Sequence, residues 1–372
     1  MNKRIFLTLT ASLIAARAFA GDSILVLNPS FQANLPGGAG YGTPNGWIGA
    51  GGVGVNNGGM PFADNGVIPD NDQVAFLQGA ASLTQNLSGF STGDLYWVQG
   101  FANARNCCGD IPTVSVTLAG STLLAPSPVP PVGGANAYRF VNLTWTATAA
   151  SGDLTISGAP FAGGDASLLI DGISVIRRTA ADIVIANPSF EASGNSFGFP
   201  GYISAPNFAA GWSRAGAGQI AINGSNLSGN PFADNGAIPD GGNVIGLQQD
   251  MSISQLLAGL TAGQTYRLSV DYNSRGGDDP TALIQINGLT AFTGSVPEVG
   301  GVNPYHHLDF DFVASGSSTT LSLANLGLAG DSTLLLDNVR VVAVPEPGSV
   351  ALLALGGLAM LRRRPVSRQR PE

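Results

Sequence analysis

The alternating stretch YRLSVDY at residues 266–272 gives the clearest evidence for the fold. Apolar residues alternate with Arg, Ser and Asp, and LDFDF at residues 308–312 continues the pattern with acids between apolar side chains. Successive side chains of a β-strand point to opposite faces, so this period of two predicts strands that are buried on one face. Helical periodicity is absent. The sequence therefore predicts an all-β fold.

The second half of the chain continues in the same way. Short apolar or alternating runs are separated by glycine- and proline-rich turns. We predict eight strands there, over residues 183–186, 244–248, 252–255, 265–273, 282–286, 305–313, 320–324 and 334–341. Eight antiparallel strands in two facing sheets form a jelly-roll sandwich.

The first half of the chain is a copy of the second. NPSF at residues 28–31 returns at 187–190, and PFADNGVIPD at residues 61–70 returns with one substitution at 231–240. Each copy has about 155 residues, which is enough for its own core and too many for a solenoid repeat. We predict two tandem jelly rolls, repeat 1 (residues 21–178) and repeat 2 (residues 181–343). Duplicated binding sites would raise avidity through effective concentration.

The amino terminus is predicted to be a signal peptide over residues 1–20. Lys3 and Arg4 precede an apolar segment over residues 5–16, and Ala18-Phe19-Ala20 has the small-x-small pattern of a cleavage site.

The carboxyl terminus is predicted to be a sorting signal. Pro345, Glu346 and Pro347 precede a largely apolar run over residues 350–361, and Arg362, Arg363 and Arg364 follow it. This run is shorter than the roughly 18 to 20 residues of a stable membrane span, and the arginines suit the cytoplasmic side. A short hydrophobic sorting helix that anchors the chain transiently in the membrane is therefore expected.

This carboxyl-terminal order resembles the PEP-CTERM sorting signal of exported bacterial proteins. The resemblance covers residues 344–364 and leaves residues 365–372 as a tail. It implies processing by an exosortase-type enzyme and export across the inner membrane to the cell envelope, the cell surface or the extracellular matrix.

The body between the two targeting segments is acidic. Residues 21–344 contain eight arginines, no lysine and 22 acids, for a formal charge of −14. Nucleic-acid binding depends on Lys and Arg that neutralise phosphates, so no nucleic-acid partner is expected.

A second resemblance covers both repeats. The motifs ANPSFE at residues 186–191, Gly211-Trp212, GLTAGQTYRLSV at 259–270 and LLLDNVRV at 334–341 are similar to those of the galactose-binding-like jelly roll found in many carbohydrate-binding modules. In that family an acid after the opening motif and the aspartate of the closing strand often share a structural Ca²⁺.

The resemblance places this calcium site at Glu191 and Asp337 in repeat 2, whereas repeat 1 has Asp171 with Gln32. Calcium takes six to eight oxygen ligands and binds more weakly when an amide replaces a carboxylate, so repeat 2 is expected to hold it more tightly. The alternative is that these acids are solvated or hydrogen-bonded at strand ends.

The repeated decapeptide carries two acids six residues apart, Asp64 with Asp70 and Asp234 with Asp240. Two roles are open for this loop. Its oxygens could bind sugar hydroxyls or a cation. Equally, the acids could cap the loop's own backbone while Phe62 and Ile68 pin it to the core.

Loop aromatics are the best candidates for stacking on sugar rings, namely Tyr41, Phe199 and Tyr202. Trp47 and Trp212 follow glycine at equivalent strand starts and are predicted to fill the cores.

A catalytic site is not expected. The two histidines of the chain, His306 and His307, are neighbours on a predicted strand, point to opposite faces and are predicted to lie at a solvated strand end. A glycoside hydrolase needs two carboxylates separated by roughly 5 to 9.5 Å, and the paired aspartates could supply them only in a deep cleft.

Cys107 and Cys108 are adjacent and stand where repeat 2 has Gly276 and Gly277. In an oxidising compartment they could form a vicinal disulfide, and two free thiols are the alternative.

The sequence therefore predicts an exported, non-catalytic protein that binds a polysaccharide or glycan through tandem jelly rolls, associated with the cell surface or exopolysaccharide. The main alternative is a structural extracellular-matrix protein without glycan binding, and a polysaccharide hydrolase is less favoured.

Overall fold

The structure is a computed structural model. It describes residues 22–33, 40–57, 59, 66–70, 72–105, 111–134, 136–162, 166–192, 202–203, 210–224, 236–275, 280–327 and 332–344. The predicted signal peptide and most of the sorting signal lie outside these residues. Within the described part of the chain, no helix is long and apolar enough to span a membrane.

Repeat 1 is built from β-strands. They are β1 (Ser23–Ile24), β2 (Gly40–Tyr41), β3 (Ile48–Asn56), β4 (Val74–Ser88), β5 (Leu95–Ala104), β6 (Ile111–Leu118), β7 (Ser121–Pro128), β8 (Arg139–Thr146), β9 (Ser151–Ala162) and β10 (Ser167–Arg178).

Repeat 2 is also built from β-strands. Its strands are β11 (Tyr202–Ile203), β12 (Ser213–Gly216), β13 (Gln219–Gly224), β14 (Asn243–Gln248), β15 (Met251–Ala258), β16 (Thr265–Ser274), β17 (Thr281–Ile286), β18 (Leu289–Ser295), β19 (His306–Val313), β20 (Ser318–Asn325) and β21 (Thr333–Ala343). The predicted all-β class is confirmed.

Each repeat is a sandwich of two antiparallel sheets. In repeat 2, sheet A has the order β11-β13-β14-β21-β16-β19 and sheet B the order β12-β15-β20-β17-β18. In repeat 1 the corresponding sheet A contains β3, β4, β10, β5 and β8, and sheet B contains β4, β9, β6 and β7. One long strand, β4, serves both sheets, because its first residues pair with β10 and its last residues pair with β9. The strand turns between them at Gly79, whose φ of 67° suits glycine. In repeat 2 the corresponding strand is broken into β14 and β15.

The core of each sandwich fills the space between its two sheets. Trp47 and Trp212 are 5% and 4% exposed, which confirms their predicted core position. Each packs on the phenylalanine of the opening motif at a ring-centroid distance of 5.7 Å, in the pairs Phe31–Trp47 and Phe190–Trp212. Each indole also donates to the opening asparagine's carbonyl. The two copies therefore share their packing as well as their sequence.

Two strand predictions need correction. Residues 183–186 do not form a strand, since only Asp182 makes an isolated bridge to Val342. Strands β11, β12, β13 and β18 were not predicted, because the glycines within them and at their ends interrupt the apolar alternation that identifies strands.

Repeat 2 is docked on the outer face of sheet A of repeat 1. The Gln99 amide donates to the Ile185 carbonyl at 3.0 Å and accepts from the Asn187 N–H at 3.1 Å. Around it lies an apolar cluster drawn from both repeats, formed by Val74, Phe76, Phe101, Tyr138, Leu169, Ala186, Ala192 and Ala210. Three alanines on the repeat 2 side allow the backbones to approach closely.

Charged groups close the other side of this junction. Ser23 donates from its N–H and its hydroxyl to the two carboxylate oxygens of Asp240, at 2.8 and 3.0 Å. Arg178 of repeat 1 is 4% exposed, lies 3.6 Å from Asp22 of the same repeat and interacts electrostatically with Asp240 and Asp182 of repeat 2. The two repeats are thus joined by polar as well as apolar contacts.

Gln99→Ala is expected to loosen the junction, because it leaves the buried Ile185 carbonyl and Asn187 N–H without this partner. Each unpaired group costs about 1 to 3 kcal/mol. Hydrogen exchange should show the Asn187 amide exchanging at least tenfold faster. Ser269→Ala, at the corresponding position of repeat 2, is the control and should leave that amide protected. Equal protection of Asn187 in both variants would contradict this view of the junction.

Candidate functional site

The repeated decapeptide ends at a buried aspartate in each repeat. Asp70 and Asp240 are 0% and 1% exposed. Their backbone N–H groups donate to the closing-strand aspartates, Asp70 to Asp171 at 2.9 Å and Asp240 to Asp337 at 2.8 Å. This burial favours the anchoring role over direct contact with sugar. Asp64 and Asp234 lie outside the described residues.

The same loop end covers part of sheet A. Ile68 packs against the cluster that contains Tyr138, and Ile238 packs against the equivalent cluster with Tyr305. Ile68 thus anchors the loop end on the outer sheet face, and not to the sandwich core as the anchoring alternative expected. Phe62 lies outside the described residues.

Glu191 and its counterpart Gln32 hold this region in opposite ways. Glu191 accepts hydrogen bonds from the N–H groups of Gly242 and Asn243, at 2.8 and 2.6 Å. Gln32 donates instead to the carbonyl groups of Ser30, Asp70 and Gln73. The exchange of acid for amide therefore changes which backbone groups are held, while both side chains fix the same loop end.

Burial raises the pKa of Glu191 to about 8, with a further contribution from the charge of Asp240. Burial also raises the pKa values of Asp171 and Asp337, each helped by the neighbouring aspartate of the decapeptide. Burial thus works against the ionisation of all three carboxyl groups, and the backbone N–H groups that donate to them oppose this shift.

Carboxylate oxygens of this kind suit calcium chemically. However, no group of three or more His, Cys, Asp or Glu side chains among the described residues is arranged to hold a metal ion. The carboxylate oxygens of Glu191 and Asp337 instead accept hydrogen bonds from backbone N–H groups. The residues do not form a ready metal site, so calcium binding stays a prediction.

A different set of polar side chains lies on the open part of sheet A in repeat 2. We call it the polar strip: Arg267, Ser269, Asp271, His307, Asp309 and Asp311. Arg267, Ser269 and Asp271 on β16 stand directly opposite Asp311, Asp309 and His307 on β19. Arg267, Asp309, Asp311 and His307 are 44% to 52% exposed. The strip is therefore accessible from solvent.

Hydrogen bonds hold the strip in a fixed arrangement. Arg267 makes a two-pronged contact with Asp311, at 2.7 and 2.9 Å. Ser269 donates to Asp309 at 2.6 Å, and His307 contacts Asp271 at 2.6 Å and Asp309 at 3.2 Å. Two rows of polar groups about 13 Å long and about 5 Å apart result from the spacing of strands.

The charges of the strip influence one another. Burial lowers the pKa of His307, but its hydrogen bond to Asp271 and the charges of Asp271 and Asp309 outweigh this, so the pKa lies above the usual value. The hydrogen bond from Arg267 lowers the pKa of Asp311. His307 was expected at a solvated strand end, and the sequence reasoning missed its two acidic partners.

The strip has no catalytic triad. Ser269 donates to Asp309, and Asp309 stands between the serine and the histidine. A nucleophilic serine must contact the imidazole that takes its proton, and this contact is not made here.

Repeat 1 carries different residues at the same positions. Its sheet A has Trp97, Gln99 and Phe101 on β5 opposite Thr144, Asn142 and Phe140 on β8. Repeat 2 rests on this aromatic and amide face, whereas the strip has no protein covering it among the described residues. Comparing the two copies position by position would have revealed the strip from sequence.

Two of the three predicted stacking residues occupy equivalent positions. Tyr41 pairs with Gly54 on β3, and Tyr202 pairs with Ala221 on the corresponding strand β13. Tyr41 is 60% exposed, meets Phe76 edge-on at 5.0 Å and donates to Gln78. Only the backbone of Tyr202 is described. Phe199 and the Cys107–Cys108 pair lie outside the described residues.

Comparison with known proteins identifies the carboxyl-terminal segment. Residues 343–364 match the PEP-CTERM protein-sorting motif. The predicted sorting signal, with Pro345, Glu346, Pro347 and Arg362, Arg363 and Arg364, is confirmed. It marks the chain for export and sorting in the cell envelope. No curated protein matches the chain significantly in sequence.

Several solved structures resemble parts of the chain. The tandem CBM22-1–CBM22-2 domain of Paenibacillus barcinonensis Xyn10C has 13% identity and a TM-score of 0.30, covering 89% of this chain and 100% of that one. A Stig cyclase of Fischerella sp. TAU has 19% identity and a TM-score of 0.34, covering 45% and 99%. TmCBM61 in complex with β-1,4-galactotriose has 16% identity and a TM-score of 0.27, covering 44% and 99%. At these scores we draw no functional conclusion from them.

Glu191→Gln tests the buried acid. Since the folded-state pKa is raised from 4.5 to about 8, its stabilising contribution is complete below about pH 4.5 and is lost as the pH rises to 8. The wild-type mature chain should therefore lose stability between pH 5 and 8, on the order of 4 kcal/mol from this group, and the variant should lose less. Thermal unfolding in EDTA measures both slopes.

Calcium at this site would reverse the trend, because a bound cation favours the ionised carboxylates. In that case millimolar CaCl₂ should raise the melting temperature at pH 8 in the wild type and not in Glu191→Gln. If CaCl₂ shifts the melting temperature of neither protein, the predicted metal site is wrong.

Proposed function

We propose that this protein is an exported, non-catalytic carbohydrate-binding protein of the cell surface or exopolysaccharide matrix, and that the polar strip of repeat 2 contacts the glycan. An exosortase-type enzyme would process its carboxyl-terminal signal after transient membrane anchoring. The accessible and internally fixed strip is the observation that carries this proposal.

The chemistry of the strip suits sugar hydroxyl groups. Each hydroxyl donates and accepts, and the strip offers carboxylate acceptors beside guanidinium and imidazole groups. Charged partners make stronger hydrogen bonds than neutral ones. Because the side chains already hold one another in place, a ligand loses little free energy in ordering them.

The position of the strip also favours a ligand-binding role. Repeat 1 folds in the same way with aromatic and amide residues at these positions, so the sandwich does not require the charged set. A flat sheet face with parallel rows of polar groups fits an extended polysaccharide better than a compact ligand.

The alternative, a structural matrix protein, has one observation in its favour. Leu25, Leu27 and Ile48 are 50% to 72% exposed on repeat 1 and would suit association between copies. Light scattering that shows concentration-dependent assembly, together with no retention on any polysaccharide, would support this alternative.

Arg267→Ala/Asp311→Ala tests the strip. The mature chain should be retained on at least one member of a panel of immobilised bacterial and plant polysaccharides, and the double variant should bind that polysaccharide at least tenfold more weakly. Loss of a charged donor and a charged acceptor that the ligand would meet accounts for this size of effect. Affinity electrophoresis measures it.

Asn86→Ala/Asp153→Ala is the matched control, since these residues form an exposed hydrogen-bonded pair between β4 and β9 of repeat 1. It should bind like the wild type. Exposed pairs of this kind contribute about 0 to 1 kcal/mol, so neither variant should unfold. If Arg267→Ala/Asp311→Ala is retained as strongly as the wild type, the polar strip is not the binding site.

Tyr41 provides a further test, as the exposed aromatic side chain at the edge of sheet A. If its ring stacks on a sugar, Tyr41→Phe should keep the affinity and Tyr41→Ala should reduce it about three- to tenfold, in keeping with 0.5 to 1.5 kcal/mol for an aromatic contact. Calorimetric titration with a soluble oligosaccharide of the retained polymer measures this difference. Equal affinities of both variants would exclude stacking at Tyr41.

A further inference from the structure

The junction of the two repeats forms a groove of about 470 Å³. The described residues that line it are Val67, Ile68, Pro69, Phe101, Ala137 and Tyr138 of repeat 1, and Gly211, Trp212, Ser213 and Arg214 of repeat 2. Its volume falls within the range of about 300 to 1,000 Å³ found for small-molecule sites, which occur preferentially at domain interfaces.

The groove exists only because the repeats are docked. Its repeat 1 wall is the end of the repeated decapeptide, and its repeat 2 wall follows the Gly-Trp motif. In repeat 2 the matching loop end, at Ala237, has no third repeat to face it. In repeat 1 the position that matches Ser213 is Ile48, which is 72% exposed. The groove is therefore a composite of parts that do not meet elsewhere in the described chain.

The chemistry of the lining is unusual for this protein. The body carries a formal charge of −14, yet the described lining residues include one arginine and no acid. One nitrogen of Arg214, Nη2, donates to the Gly218 carbonyl at 3.3 Å. The other, Nη1, is buried and has no hydrogen-bond partner among the described residues. A buried donor without an acceptor is costly, and a carboxylate is the partner that a guanidinium binds best.

We propose that the junction groove binds a uronic-acid residue. The carboxylate pairs with Arg214, the Ser213 hydroxyl contacts a sugar hydroxyl, and the apolar wall of Val67, Ile68 and Pro69 receives the face of the ring. This inference rests on the proposed function only in taking the ligand to be a sugar. The groove is separate from the polar strip, whose three aspartates disfavour an anion.

The test uses the mature chain and sodium glucuronate as the probe, with glucose and acetate in parallel titrations. Calorimetry and tryptophan fluorescence should show saturable glucuronate binding, with a dissociation constant on the order of millimolar. Glucose and acetate should each bind at least fivefold more weakly, because one lacks the carboxylate and the other lacks the ring.

Substitutions at the rim of the groove locate the site. Val67→Trp and Ser213→Trp should fill the groove and weaken glucuronate binding at least tenfold. Their matched controls are Ala237→Trp and Ile48→Trp, at the equivalent positions of the other repeat, and these should bind like the wild type. Arg214→Gln should remove the preference for glucuronate over glucose.

Each opposite result overturns the proposal. The first such result is that glucuronate does not bind saturably. The second is that acetate or glucose binds as tightly as glucuronate. The third is that the rim variants and their controls lose the same amount of glucuronate affinity. The double variant Arg267→Ala/Asp311→Ala should keep full glucuronate binding, so a failure of the strip and a failure of the groove can be told apart.

Discussion

The docking of repeat 2 on sheet A of repeat 1, centred on the Gln99 amide, determines which surfaces of this protein are available. A single side chain satisfies one carbonyl and one N–H of the incoming opening segment. Leaving either group buried without a partner would cost about 1 to 3 kcal/mol, so the amide fixes the register of the two sandwiches. The alanines around it bring the backbones together. The covered face of repeat 1, the open face of repeat 2 and the groove between them all follow from this contact.

The sequence differences between the two repeats are concentrated on the surfaces that the docking of repeat 2 on repeat 1 covers or leaves open. The buried framework is nearly identical, from the indole hydrogen bond to the anchoring of the decapeptide by Asp171 and Asp337. The outer face of sheet A keeps the cluster around Tyr138 as the cluster around Tyr305. Its β5 and β8 positions differ, with aromatic and amide residues where the face is covered and charged residues on β16 and β19 where it is open. Burying Arg267, Asp309 and Asp311 under another sandwich would require the desolvation of several charges. The charged face therefore also opposes the addition of another sandwich at this end.

The fold could be predicted from sequence because its determinants are local. Alternation in β16 and β19 and the repeated motifs identify the strands and the duplication without any knowledge of contacts. The site could be predicted only in part, because exposure depends on what covers a residue. The sequence left ligand binding and loop anchoring open for Asp70 and Asp240, and their burial favours anchoring. The polar strip was visible as a strand pattern, but its significance depends on whether another part of the chain covers it, and none of the described residues does.

The duplication does not provide two equal sites through sheet A. Avidity from tandem modules requires both binding faces to reach the ligand at once, and an inaccessible face contributes nothing to effective concentration. In this protein the outer face of sheet A in repeat 1 is covered by repeat 2 at the junction. What duplication supplies is a rigid arrangement in which one sandwich serves as the platform for the other. It also creates a groove lined by both copies. The second copy thus changes the kind of surface presented. Among the described residues sheet A offers one exposed polar strip per chain, so avidity through sheet A alone depends on several molecules.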